Sequence, residues 1–252
     1  MILRNLQVGY GKSPIGPKLN LEIPQGKFIV VLGRNGIGKS SLIRTLAGVQ
    51  NAIDGSIELN NQDLSELPVR IRAKQIGLVL TNKVPLSQYT VRDFVAMGRY
   101  PYTNWLNKLN IEDIDIIDKA LAQIGALELA DRQISKLSDG EQQKVQIAKV
   151  LAQACSFILL DEPTAHLDMH HKIQLFNLLK EQVVKENKTI IMASHEVNLS
   201  LQLADDLWVL LGDESHYGSK SELIEKQVVQ KLFKDELIRF DENLGQFILA
   251  SS

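Results

Sequence analysis

Residues 28 to 40 read Phe-Ile-Val-Val-Leu-Gly-Arg-Asn-Gly-Ile-Gly-Lys-Ser, and no other stretch restricts the fold so tightly. Phe28 to Leu32 is continuous, apolar and rich in β-branched residues, which suits a strand buried on both faces of a parallel sheet. Gly33 to Ser40 then fits G-x-x-x-x-G-K-[ST] without a mismatch. Leu42, Ile43, Leu46 and Val49 follow at helical spacing, with Gly48 near the end, so a helix is expected to begin near Lys39. Strand, glycine-rich turn and helix in that order aim successive backbone N–H groups inward and add the partial positive charge of a helix N-terminus. The chemistry this suits is phosphate binding. Lys39 would reach the β- and γ-phosphates of a nucleotide and the Ser40 hydroxyl would ligate Mg²⁺, while Gly33, Asn35, Gly36, Ile37, Gly38 and Ser41 complete the cradle. The plain alternative is a glycine-rich turn with an exposed lysine, and the complete match in the right context sets it aside.

The rest of the chain is read around that loop. The 252 residues are 44% apolar and 23% charged, ordinary values for a folded protein of one large or two small domains. Lys plus Arg is 28 and Asp plus Glu is 30, which argues against a surface that coats nucleic acid. The one cysteine, Cys155, excludes an intramolecular disulfide and a cluster of thiolates on zinc. No apolar run exceeds five residues, whereas a membrane-spanning helix needs about 20. With no signal-like stretch in MILRNLQVGY, a cytoplasmic chain is expected, with any membrane role exerted through a partner. Leu19, Leu21 and Ile23 alternate as in a half-buried strand, and 57 to 80 reads as β-rich, with strands at Ile57 to Leu59 and Ile76 to Leu80. Residues 90 to 154 change to helical spacing, with Thr90 as an N-cap and helix over 111 to 130. Strands return at Phe157 to Leu160, Thr189 to Met192 and Leu207 to Leu211. The expectation is a single α/β unit with an antiparallel β region: a core of about 1–81 and 155–252, interrupted by a helical subdomain at about 82–154. A short terminal strand is expected near the end.

Phe157-Ile158-Leu159-Leu160-Asp161-Glu162 is an apolar strand ending in two acids. In a parallel sheet such an end delivers side chains to the crevice where ligands bind. Asp161 is then placed to hold Mg²⁺, and Glu162 to orient or deprotonate an attacking water. Two solvated acids at a strand end are common on their own. The upstream phosphate loop gives this pair its meaning.

With these motifs in place the chain resembles the ATP-binding subunits of ABC transporters, over about residues 2 to 225. Leu137-Ser138-Asp139-Gly140-Glu141 resembles the signature usually written LSGGQ, Ala165-His166-Leu167-Asp168 the D-loop, His195 the switch histidine and Tyr10 the aromatic that stacks on adenine. The resemblance implies an ABC-type phosphate-loop ATPase that hydrolyses ATP with Mg²⁺ and works as a head-to-tail homodimer. Ser138, Gly140, Glu141 and Asp168 would meet the ATP held by the other copy. Transmembrane permease subunits and an external substrate-binding protein would complete the system, on the cytoplasmic face of a bacterial inner membrane, with no nucleic acid. Thr90-Val91-Arg92-Asp93-Phe94-Val95-Ala96-Met97-Gly98-Arg99-Tyr100-Pro101-Tyr102 is similar to the importers of iron–siderophores, haem and cobalamin. By that resemblance, Phe94 to Tyr102 is the segment that docks a permease loop.

The chain departs from the pattern at one point. The family carries Gln after the strand at Ile76 to Leu80, whereas here Thr81 and Asn82 follow. Thr81 keeps an oxygen for the metal but is shorter, so Asn82 substitutes, a water bridges, or coupling is altered. Ser138 and Glu141 also form S-x-x-E, a capping box, which fits equally well. His166 and His170 are four apart, but no third metal ligand is visible. Two other readings are weighed: a permease-free ABC ATPase acting as an assembly or regulatory factor, and a generic phosphate-loop kinase. One cassette without a long coiled insertion speaks against the first, and the signature with His195 against the second.

Overall fold

The computed structural model describes residues 1–80, 88–165, 167–233 and 237–250. Its centre is a six-stranded sheet built from β5 (Phe28–Leu32), β8 (Ile76–Val79), β9 (Phe157–Asp161), β10 (Thr189–Ala193), β11 (Asp206–Leu210) and β12 (Ser215–Ser219). The order is β12-β11-β5-β10-β9-β8, parallel throughout except for β12 at the edge. β5, β9, β10 and β11 are buried at every position, as a parallel sheet covered on both faces requires.

Alternate residues of these strands enter two different cores. Phe28, Val30, Leu32, Ile158, Leu160, Ile190 and Met192 face one side. There they meet α3 (Val91–Ala96), α4 (Ile111–Gln123), α5 (Asp139–Ala152), α6 (Met169–Glu186) and α7 (Val197–Leu203). Ile29, Val31, Phe157, Leu159, Ile191 and Trp208 face the other, packing on α1 (Lys39–Leu46) through Leu42, Ile43 and Leu46. That second core is closed by an antiparallel sheet of order β4-β1-β6-β7, formed by β1 (Ile2–Gln7), β4 (Leu19–Glu22), β6 (Asp54–Leu59) and β7 (Gln62–Asp63). β2 (Gly9–Tyr10) and β3 (Ser13–Pro14) make a small separate ladder.

Helices α3, α4 and α5 pack on one another between β8 and β9 in the chain. Each begins with a capping box: Thr90 with Asp93, Asn110 with Asp113, and Ser138 with Glu141.

Four local expectations are corrected. Residues 69–75, read as part of a β-rich stretch, form α2 (Val69–Gln75), which buries none of its residues. Its Val-Arg-Ile-Arg start alternates like a strand, but Arg, Ala, Lys and Gln favour helix. The helix expected over 111–130 stops at Gln123, because Gly125 turns left-handed at φ 66° and a 3₁₀ turn follows at Leu127–Leu129. Val49 lies beyond α1 and is exposed. After α8 (Lys220–Glu225) the chain ends in a hairpin of β13 (Ile238–Asp241) and β14 (Gln246–Leu249), where one terminal strand was expected.

Candidate functional site

The loop, the two acids and the histidine meet because β5, β10 and β9 are adjacent and parallel, so all three end at the same edge. The chain leaving β5 turns tightly. Gly38 sits at φ 109°, and a Cβ there would lie 2.4 Å from Ile15 Cγ2. At Gly33 a Cβ would lie 2.8 Å from the Leu210 carbonyl oxygen. Gly36 is also left-handed, Asn35 is exposed, Ile37 packs on the second core, and Ser41 is buried on α1.

Lys39, the first residue of α1, folds back over the loop. Its Nζ donates to the carbonyls of Gly33 (2.8 Å) and Arg34 (3.2 Å). Burial lowers the amine from its ordinary value, against the pull of Glu162 and Asp161. Ser40 Oγ donates to Asp161 Oδ1 at 2.7 Å. Asp161 is almost fully buried at the end of β9. Burial raises its carboxyl, while Ser40 and the Arg44 guanidinium, 3.9 Å away, pull the other way.

Glu162 takes a left-handed turn at φ 51°, rare for a residue with a side chain and costing about 1–3 kcal/mol. Its N–H donates to Ala193 O (3.1 Å), and its carboxylate meets His195 Nε2 at 2.5 Å. The turn sends Glu162 sideways toward β10 while Asp161 stays under the loop. The N–H of Ser194 is fixed on Val31 O (3.2 Å), and Glu196 pairs with Lys172 of α6 at 2.6 Å. The result is an ammonium, a hydroxyl and a buried acid converging on one point, with an acid–imidazole pair beside them.

Other sequence candidates lie elsewhere. Ser138, Gly140, Glu141 and Asp168 line a separate cleft of about 530 Å³ with Lys144, Leu167 and His171. Ser138 Oγ donates to Glu141 Oε2 (2.9 Å), and bonds from the Ser138 N–H and hydroxyl hold the Glu141 carboxyl below its usual range. Asp168 caps α6 by accepting from the His171 N–H at 2.9 Å. Tyr10 stands exposed on the β2–β3 ladder, whose far end leads to Ile15 beside Gly38. Thr81, Asn82 and His166 lie outside the described residues. Among the described residues no group of three metal-binding side chains occurs, and α6 begins only at Met169. Sequence reasoning passed over Arg44 and Lys172. Arg44 was the findable one, since it lies one helical turn beyond Ser40 and so faces the same acid.

A phosphate loop on a central parallel strand, with its serine bonded to an acid that ends β9, the next strand but one, defines a phosphate-loop nucleoside triphosphatase. This chain belongs to the ABC transporter family, whose profile matches residues 17–165. It is 37% identical over 235 residues to the petrobactin import ATP-binding protein FpuD of Bacillus anthracis, covering 92% of this chain and 86% of that one. It is 34% identical over 229 residues to the ferric enterobactin transport ATP-binding protein FepC of Escherichia coli K12, covering 90% and 84%. An ABC transporter assigned to the metal-chelate type, solved in an inward-facing conformation, superposes with a TM-score of 0.79 at 28% identity, covering 98% and 94%. The chain is thus an ATP-hydrolysing subunit of the ABC type, a kind that works with membrane permeases. No helix among the described residues is long and apolar enough to cross a membrane.

Proposed function

We propose that this chain powers the uptake of an iron chelate, or of haem or a corrinoid, by hydrolysing ATP beneath a permease. The observation that carries the ATPase part is the Lys39–Ser40–Asp161 corner beside the Glu162–His195 pair. The substrate class is supported by the relatives named for petrobactin and ferric enterobactin.

In this reading Lys39 exchanges the carbonyls of Gly33 and Arg34 for oxygens of the β- and γ-phosphates. Ser40 Oγ and Asp161 Oδ1 are hard oxygen donors 2.7 Å apart, a set that suits Mg²⁺. That ion, when bound, would neutralise charge on the phosphates. Thr81 stays in the proposal as a further oxygen at this point. Glu162 orients and polarises the attacking water, and His195 holds Glu162 and reaches the γ-phosphate. Tyr10 stacks on the base. Ser138, Gly140, Glu141 and Asp168 act on the ATP of a second copy, across a two-fold interface.

The proposed division is a nucleotide core of about 1–81 and 155–252 and a helical subdomain of about 82–154. On the latter, Tyr100, Tyr102 and Trp105 are exposed while Phe94 and Arg99 are buried, with the Arg99 guanidinium against the Tyr102 ring, which suits the docking of a permease loop. An external binding protein and a place on the cytoplasmic face of the inner membrane complete the system.

Two experiments test this. Glu162→Gln should bind ATP, turn it over about a hundredfold more slowly and accumulate as a dimer; wild-type hydrolysis would remove Glu162 from its role. Affinity capture from detergent-solubilised native membranes should bring down a polytopic membrane protein in stoichiometric amount. A soluble partner in its place would point to an ATPase without a permease.

A further inference from the structure

The C-terminal hairpin reaches the histidine segment through one side chain. Asn198, the second residue of α7, donates from Nδ2 to Phe247 O (3.1 Å) and accepts at Oδ1 from the Phe247 N–H (2.9 Å). One amide thus satisfies both backbone groups of a β14 residue, as a neighbouring strand would. The Phe247 ring lies 4.7 Å from Phe233 and 5.2 Å from Phe240, and Phe240 and Phe247 both pack on the helix-side core. The hairpin is therefore anchored and can resist movement of α7. At this same end α7 starts two residues after His195, with the Val197 N–H on His195 O at 2.9 Å. Besides the His195–Glu162 contact, residues 194–198 are held by Val31, Lys172 and the hairpin.

We propose that Asn198 is a positioning residue of the ATPase, tying α7, and with it the His195–Glu162 pair, to the C-terminal hairpin. The inference rests on the role proposed above for His195. The hairpin becomes a handle on turnover, since a partner that loosened it would free the imidazole without touching the nucleotide.

The test is a double-mutant cycle on the full chain with Asn198→Ala, His195→Ala and both. Asn198→Ala should lower kcat about tenfold. KM for ATP should stay within about twofold, because Lys39 and Tyr10 stand on other elements. In the His195→Ala background the second change should cost nothing further, a non-additivity that general loosening of the fold would not produce. Asn198→Asp keeps the acceptor for Phe247, should fall between, and replaces Asn198→Ala in the cycle if that variant does not fold. Wild-type kcat in the Asn198 variant, or full additivity with His195→Ala, would overturn the proposal. His195→Ala with normal turnover would instead sink the reading of His195 on which it stands.

Discussion

Asp161 keeps its carboxylate where burial opposes charge, and its pKa is raised above the ordinary 3.8 despite Ser40, Arg44 and Lys39. Because the folded value is raised, the ionised group destabilises the fold at neutral pH, and the penalty fades as pH falls through that value. Asp161→Asn, which keeps an acceptor for Ser40, should therefore melt about 2–4 °C above the nucleotide-free wild type at neutral pH. The gap should shrink in acid, and turnover should be lost. Differential scanning fluorimetry across pH checks this, and a lower melting point at neutral pH would refute the burial account. At this scale the sequence was most informative. Lys39, Ser40, Asp161 and Glu162 were legible because each stands at a fixed offset from a strand end. The left-handed turn at Glu162 was not, since nothing in Leu-Asp-Glu-Pro announces a positive φ; it goes with the bond to Ala193 at the end of the neighbouring strand β10, some thirty residues on in the chain.

Among elements, the 3₁₀ turn at Met97–Arg99 holds the helices after β8 together. Arg99 is buried, bonded through Nε to Asp113 Oδ1 (2.8 Å) and through Nη1 to Ala152 O (2.9 Å), with its guanidinium 4.1 Å from the Tyr102 ring centroid. It joins the start of α4 to the end of α5. Burial opposes the charge on Asp113, but the Asn110 N–H and Arg99 overcome it and hold the carboxyl below its usual range. Removing one partner of such a pair strands the other, so Arg99→Met should cost about 3–5 kcal/mol in urea unfolding. A loss near 0.5 kcal/mol, typical of a surface change, would show that the clasp bears little. The caps at Thr90 and Ser138 were readable because donor and acceptor lie three residues apart. α2 was not, because its four-residue Val-Arg-Ile-Arg start has the period of a strand and no buried face to contradict it.

For the whole molecule, the Ser138–Asp168 cleft shares no lining residue with the Lys39 corner, as expected if each ATP is enclosed by two chains. Lys39→Ala and Ser138→Arg should each abolish turnover, yet mixing them should restore about a quarter of it. Random pairing makes about half the dimers mixed, each with one intact site. No recovery, with mixed dimers verified, would sink the two-chain site. The sheet order was the least legible feature, since it depends on pairings between residues far apart in the chain. β5 lies between β10 and β11, so its neighbours are residues 189–193 and 206–210. During synthesis at about 5–20 residues per second, Phe28 to Leu32 leaves the ribosome roughly ten to thirty seconds before either flank exists. For that interval the most apolar strand of the chain is an open edge, bare on both sides, and its shelter comes only once residues 189–210 have been made.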